Sequence, residues 1–182
     1  MTSLVHLNGP PGVGKSTLAA LYADRHPGTL DLDIDRLHHL VGGWQDADNR
    51  THDVLRPVAL AMAATHLGGG RDVVLPQYLV RADEIDAFER VSREQGAEFR
   101  EVVLLPADRA DAVARFDHRP DDGPWDDHNR RLVAGHGGPD LLGSLYDELV
   151  DLVRRRPSVL VVASEPDAVE ATYAAVLRAL LD

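Results

Sequence analysis

Residues 9–17, Gly-Pro-Pro-Gly-Val-Gly-Lys-Ser-Thr, bring three glycines, one lysine and two hydroxyls into one stretch. Glycine reaches positive φ without steric cost, so a loop written this way can turn its backbone N–H groups inward. Inward amides form a concave nest for an anion, and phosphate oxygens fit it. Lys15 is the one lysine among the 19 Lys and Arg of the chain. Its ammonium is a compact point charge on a flexible stem, which enters a tight loop where a planar, forked guanidinium does not. The pattern Gly, four residues, Gly-Lys-Ser/Thr carries a defined chemistry: amides and lysine on phosphates, and the Ser hydroxyl on Mg²⁺. Gly9, Gly12, Val13, Gly14, Lys15, Ser16 and Thr17 are therefore expected to hold a nucleotide, ATP with Mg²⁺.

A second set of groups able to do chemistry follows in "DLDID", where Asp31, Asp33 and Asp35 alternate with Leu32 and Ile34. Such spacing sets the carboxylates on one face for as long as a strand lasts. Asp35 lies past the strand end, where it can face a γ-phosphate or serve as the N-cap of a helix over "RLHHLV". The two roles are compatible.

These groups work only if regular elements hold them, and the chain supplies the elements. "SLVHL" (3–7) reads as a buried strand running straight into the glycine loop, and residues 16–26 as the helix that the loop opens. That order gives the loop a helix N-terminus, with its unpaired donors and partial positive charge. Further strands are expected at 29–34, 72–75, 99–105 and 158–163, and helices at 50–67, 82–95, 108–116, 141–155 and 167–181. Strands alternating with helices mean an α/β domain with a parallel sheet. Ligands of such sheets gather beyond the carboxyl ends of the strands, which is where both motifs fall. Residues 117–139, rich in Asp, Gly, Pro and His, read as a long loop and as a mobile lid.

Composition bounds the rest. A chain of 182 residues suits a single domain over 1–182. There is no cysteine, which excludes disulfides and thiolate metal sites. The net charge of −11 disfavours nucleic acid as the main partner, because phosphate backbones are held by excess Lys and Arg. No apolar run is long enough to span a membrane, and the first residues lack a charged leader, so a cytoplasmic protein is expected.

"NGPPGVGKST" followed by "HPGTLDLDIDRL" resembles P-loop kinases of the polynucleotide kinase type, a group that includes chloramphenicol phosphotransferase, the zeta toxins and gluconate kinase. The resemblance implies a P-loop NTPase fold of the nucleoside/nucleotide kinase kind, with five strands in the order 2-3-1-4-5. It implies a catalytic Asp just after the second strand, a position that Asp35 occupies. It also implies paired arginines at the base of the lid, matched by Arg115 and Arg119 in "ARFDHR". Several relatives carry an acidic residue at the end of the third strand, where this chain reads "VVLPQYL". Asp33 is the local substitute as a metal-side carboxylate, and Gln77 and Tyr78 become candidate substrate contacts. His38, His39, Trp44 and His52 fall where the acceptor pocket of this architecture lies, and Trp125 could stack on a ring or cover a cation. The expected activity is transfer of the γ-phosphoryl group of ATP to a hydroxyl of a small molecule (an antibiotic, a biosynthetic intermediate or a sugar), with Asp35 as general base. The alternatives are a polynucleotide or nucleotide kinase and a non-catalytic nucleotide switch.

Overall fold

The computed structural model describes residues 2–46, 49–118 and 123–181. Five strands, β1 (Ser3–Asn8), β2 (Leu30–Asp31), β3 (Val73–Leu75), β4 (Glu98–Leu105) and β5 (Leu160–Ala163), pair in the order β2-β3-β1-β4-β5. Every pairing is parallel. Around them run α1 (Lys15–Arg25), α2 (Ile34–Leu37), α3 (Thr51–Gly68), α4 (Ala82–Glu94), α5 (Arg109–Asp117), α6 (Pro124–Gly135), α7 (Pro139–Arg155) and α8 (Val169–Leu181). A 3-10 turn at His38–Leu40 follows α2. This is the expected five-stranded parallel order, and β1 lies at its centre.

Strand periodicity divides the apolar residues between two cores. Leu4, Val73, Leu75 and Val103 point to one face and meet Leu55, Ala59, Ala63 and Leu67 of α3, Ile85 and Phe88 of α4, and Leu149 and Leu152 of α7. Val5, Leu7, Val74, Val102 and Leu104 point to the other and meet Leu18, Ala19 and Tyr22 of α1 with Tyr173 and Val176 of α8. A strand buried on both faces must be apolar at consecutive positions, which is why these strands read as short continuous runs. Each buried Leu, Val or Phe contributes roughly 1.5–3 kcal/mol, so the two cores fix the sheet edge on which the loops converge.

Two expected boundaries change. The strand expected over 29–34 is only Leu30–Asp31. Leu32 N–H still bonds the Val74 carbonyl, but the Asp33 carboxylate then accepts the amide of Asp35 and starts α2. A side-chain cap ends the strand sooner than its alternating pattern suggests. The segment 117–139 is not an uninterrupted loop, because α6 spans Pro124–Gly135 with Pro at its start and Asp126 and Asp127 in its first turn. Those residue types suggest a loop, yet they are also what a helix N-terminus prefers. Arg119, Asp121 and Asp122 lie outside the described residues. Among the described residues, no helix is long and apolar enough to cross a membrane.

Candidate active site

The glycine loop leaves β1 at Asn8 and closes on α1 at Gly14. Gly9, Gly12 and Gly14 all have φ between +84° and +156°. At Gly12 the backbone also comes close to a neighbour: a Cβ there would lie 2.9 Å from the Arg115 carbonyl and the Phe116 nitrogen. Val13 is buried beneath the loop and anchors it. Lys15 Nζ bends back to donate to the Gly9 and Pro10 carbonyls at 2.8 and 3.0 Å, so its ammonium lies over the loop. Thr17 is exposed in the first turn of α1.

Ser16 and Asp33, the two expected metal-side residues, lie near one another, close enough for the Ser16 hydroxyl to favour the charged form of the Asp33 carboxyl. Asp33 is 5% exposed. Burial pushes its carboxyl above the ordinary range, and the neighbouring Asp35 carboxylate pushes in the same direction. Asp33, not Asp35, is the α2 cap, so Asp35 is half-buried in the first turn with its carboxylate not spent on capping. Arg36 anchors the third acid, Asp31, at 3.0 Å. A hydroxyl and a buried carboxylate beside a phosphate loop are hard oxygen donors suited to Mg²⁺, which takes few protein ligands and completes its shell with phosphates and water. Among the described residues no group of three or more His, Cys, Asp or Glu is placed to hold a metal ion.

The segment after β3 is secured from inside the sheet by groups the sequence reading missed. His6 on β1 is fully buried, and its Nε2 donates to the Gln77 carbonyl at 2.9 Å. Its Nδ1 faces Glu101 on β4 at 3.7 Å. Asn8 accepts from the Gly9 and Leu79 amides and donates to the Leu79 carbonyl, tying the entrance of the phosphate loop to residue 79. Arg156, just past α7, reaches Glu101 at 3.0 Å and extends to Asp86 and Glu89. Burial holds the His6 imidazole down at about 4 and raises the Glu101 carboxyl, with Arg156 opposing. The available signal was His6 among the apolar residues of "SLVHL" and Glu101 directly before the apolar run of "REVVLL". Gln77 keeps its side-chain carbonyl oxygen buried without a partner. Tyr78 turns its hydroxyl away to donate to the Leu145 carbonyl of α7.

Arg115, the expected partner of Arg119, is held tightly. Its Nε and Nη2 bond both oxygens of Asp111, and Nη1 donates to Ser164 Oγ. Ser164 Oγ in turn donates to the Val13 carbonyl of the phosphate loop. In this state the guanidinium ties α5, the end of β5 and the loop into one unit. To reach a phosphate it would have to release Asp111 and Ser164.

Beyond Asp35, rings from three elements come together. His38 is buried, bonds Thr51 Oγ1 through Nδ1 at 2.9 Å, and stacks on Trp125 of α6 at 4.3 Å. His128 and Trp44 lie 5.6 Å from Trp125, His52 meets His38 edge-on and His39 meets Trp44 edge-on. Burial and the nearby His52, His128 and His39 push His38 down to about 4. Asp126 is buried at 4% exposure in the same turn. The sequence pointed to His38 and Trp44 singly; His128 had no signal of its own.

Solved structures share this architecture. The tunicamycin resistance protein of Deinococcus radiodurans superposes with a TM-score of 0.59 at 16% identity, over 97% of this chain and 96% of its own. A gluconokinase from Sinorhizobium meliloti 1021 gives 0.59 at 18%, over 99% and 91%. The APS kinase of Mycobacterium tuberculosis gives 0.54 at 18%, over 100% and 98%. None of the curated proteins compared with the chain matches it. The sequence profile of a family described as an AAA domain matches residues 4–133, the stretch that contains the glycine loop, the Asp33–Asp35 turn and the ring cluster. On that match, and with the sheet order and phosphate loop described above, the chain belongs to this AAA-domain family and has the P-loop kinase-like fold.

Proposed function

We propose that the protein is an ATP- and Mg²⁺-dependent kinase that phosphorylates a hydroxyl of a small molecule. The observation that carries this reading is the juxtaposition at one sheet edge of the glycine loop, the Ser16–Asp33 pair and an uncommitted Asp35 carboxylate. Loop amides and Lys15 would hold the β- and γ-phosphates; Ser16 and Asp33 would hold Mg²⁺, which supplies charge neutralisation on the phosphoryl oxygens when bound. Asp35 takes the proton of the acceptor hydroxyl as its oxygen bonds the γ-phosphorus and the bond to the β-phosphate oxygen breaks, releasing ADP. Arg115 positions the loop through Ser164, and segment 117–139, with Arg119, serves as the lid. Two of the neighbouring structures are, by their names, a gluconokinase and an APS kinase, and the net charge of −11 suits a small acceptor better than a polynucleotide.

The test is an ATP-consumption screen over hydroxylated metabolites and antibiotics, with the product identified by mass spectrometry. A hit should lose most of its turnover in Asp35→Asn while ATP affinity changes little. Retained turnover in Asp35→Asn would move the base elsewhere. Absence of ATP binding would remove the kinase reading altogether.

A further inference from the structure

Both tryptophans of the chain, Trp44 and Trp125, belong to the ring cluster beyond Asp35. Within it two ring nitrogens, His38 Nε2 and Trp125 Nε1, are buried without a hydrogen-bond partner. An indole nitrogen is only ever a donor. His38 meets Thr51 Oγ1 through Nδ1, so its Nε2 is a donor when the hydroxyl donates to Nδ1 and an acceptor when Nδ1–H donates to the hydroxyl. A buried indole N–H without an acceptor, next to a buried imidazole nitrogen without a partner, is costly, and a native structure rarely keeps such groups without a use. His38 lies three residues beyond Asp35, about one helical turn on. The Trp125–His38 stack spans from α6 to the turn after α2, so a flat ring entering between them would exchange one stacking contact for two. The Trp125 N–H, with its positive end unpaired, attracts an oxygen atom and repels a positively charged group.

We propose that His38, Trp44, Trp125 and His128 form the acceptor subsite, and that it selects an uncharged acceptor built on a flat ring with hydroxyl or carbonyl oxygens at its rim. This rests on the kinase reading above, since the phosphorylated hydroxyl must belong to the same molecule and reach Asp35. The ring lies between Trp125 and His38, and Trp125 Nε1, whose N–H points within its own plane, donates to an oxygen on a rim substituent that bends out of the acceptor's plane.

The intrinsic fluorescence of the intact protein tests this directly, because no tryptophan lies elsewhere. With Mg²⁺ and a nonhydrolysable ATP analogue present, the probes are 4-(hydroxymethyl)benzamide and 2-hydroxybenzyl alcohol as neutral rings, choline as a cation and glycerol as a ringless alcohol. The two ring compounds should shift tryptophan emission saturably, whereas choline and glycerol should not. Trp125→Leu should weaken ring binding by about tenfold or more, and Trp125→Phe should restore most of it; circular dichroism checks that both fold. A response to choline or glycerol in place of the rings overturns the inference. So does equal ring binding in Trp125→Leu, and so does silence from all four probes, which leaves the cluster as packing. Calorimetry of the ATP analogue separates the two readings. Ring binding without ATP binding removes the kinase and keeps the ring site. ATP consumed only with ringless alcohols does the reverse.

Discussion

Buried His6 makes the stability of this protein sensitive to mild acid. The imidazole is fully buried, donates to Gln77 and titrates at about 4 against an ordinary 6.5. Between those values the unfolded chain binds a proton that the native state refuses, so stability rises with pH across the window. The His6 contribution is complete above pH 6.5 and is lost as pH falls toward 4. At about 1.36 kcal/mol for each pH unit, the gap from 6.5 to about 4 amounts to about 3 kcal/mol. About 2.5 kcal/mol of that falls between pH 7.5 and 4.5. Glu101 acts with opposite sign: its raised carboxyl takes up a proton more readily in the native state, so acid relieves part of its burial cost. His38 adds an acid loss of its own. Comparison with His6→Gln, which keeps an N–H donor for Gln77, leaves both of those terms in place. Urea unfolding followed from pH 7.5 to 4.5 should show the wild type losing about 2 kcal/mol more than the variant, roughly 4–8 °C if read as a melting temperature. The reasoning fails if the two proteins lose stability in parallel, or if NMR places the His6 titration above about 6.

Two further outcomes test the phosphate loop. Lys15→Arg should fold normally but abolish ATP turnover, because the loop that receives Nζ at the Gly9 and Pro10 carbonyls has the dimensions of an ammonium; steady-state ATPase or kinase assays with thermal melts check it, and near-normal turnover refutes the shape argument. Gly12→Ala should cost about 2–5 kcal/mol, combining left-handed strain with a 2.9 Å clash against the α5 backbone. Gly14→Ala, also at positive φ but with nothing within 4 Å of its Cβ, should cost about 1–2 kcal/mol; equal melting temperatures for the two variants would show that the contact with α5 is immaterial.

By itself the sequence determined the sheet, the phosphate loop and the position of Asp35. Parallel strands buried on both faces declare themselves as apolar runs, and "GPPGVGKST" carries its chemistry in consecutive residues, so both are local and legible. The expected strand order rested on resemblance and agrees with the structure. Local rules misjudged places where two of them compete. The cap was expected at Asp35 with the strand running to residue 34, and the Asp33 side chain took the cap instead. "GPWDD" reads equally as a turn or a helix start, and α6 took it. What only the tertiary structure decided are the long-range pairings. His6, Asn8, Glu101 and Arg156 meet across β1, β4 and the end of α7, and no spacing along the chain encodes that meeting. The ring cluster joins residues 38–52 to residues 125–128. Individually those histidines and tryptophans carry no signal, because the stacking and the burial that give them a role exist only once α6 packs over the turn after α2.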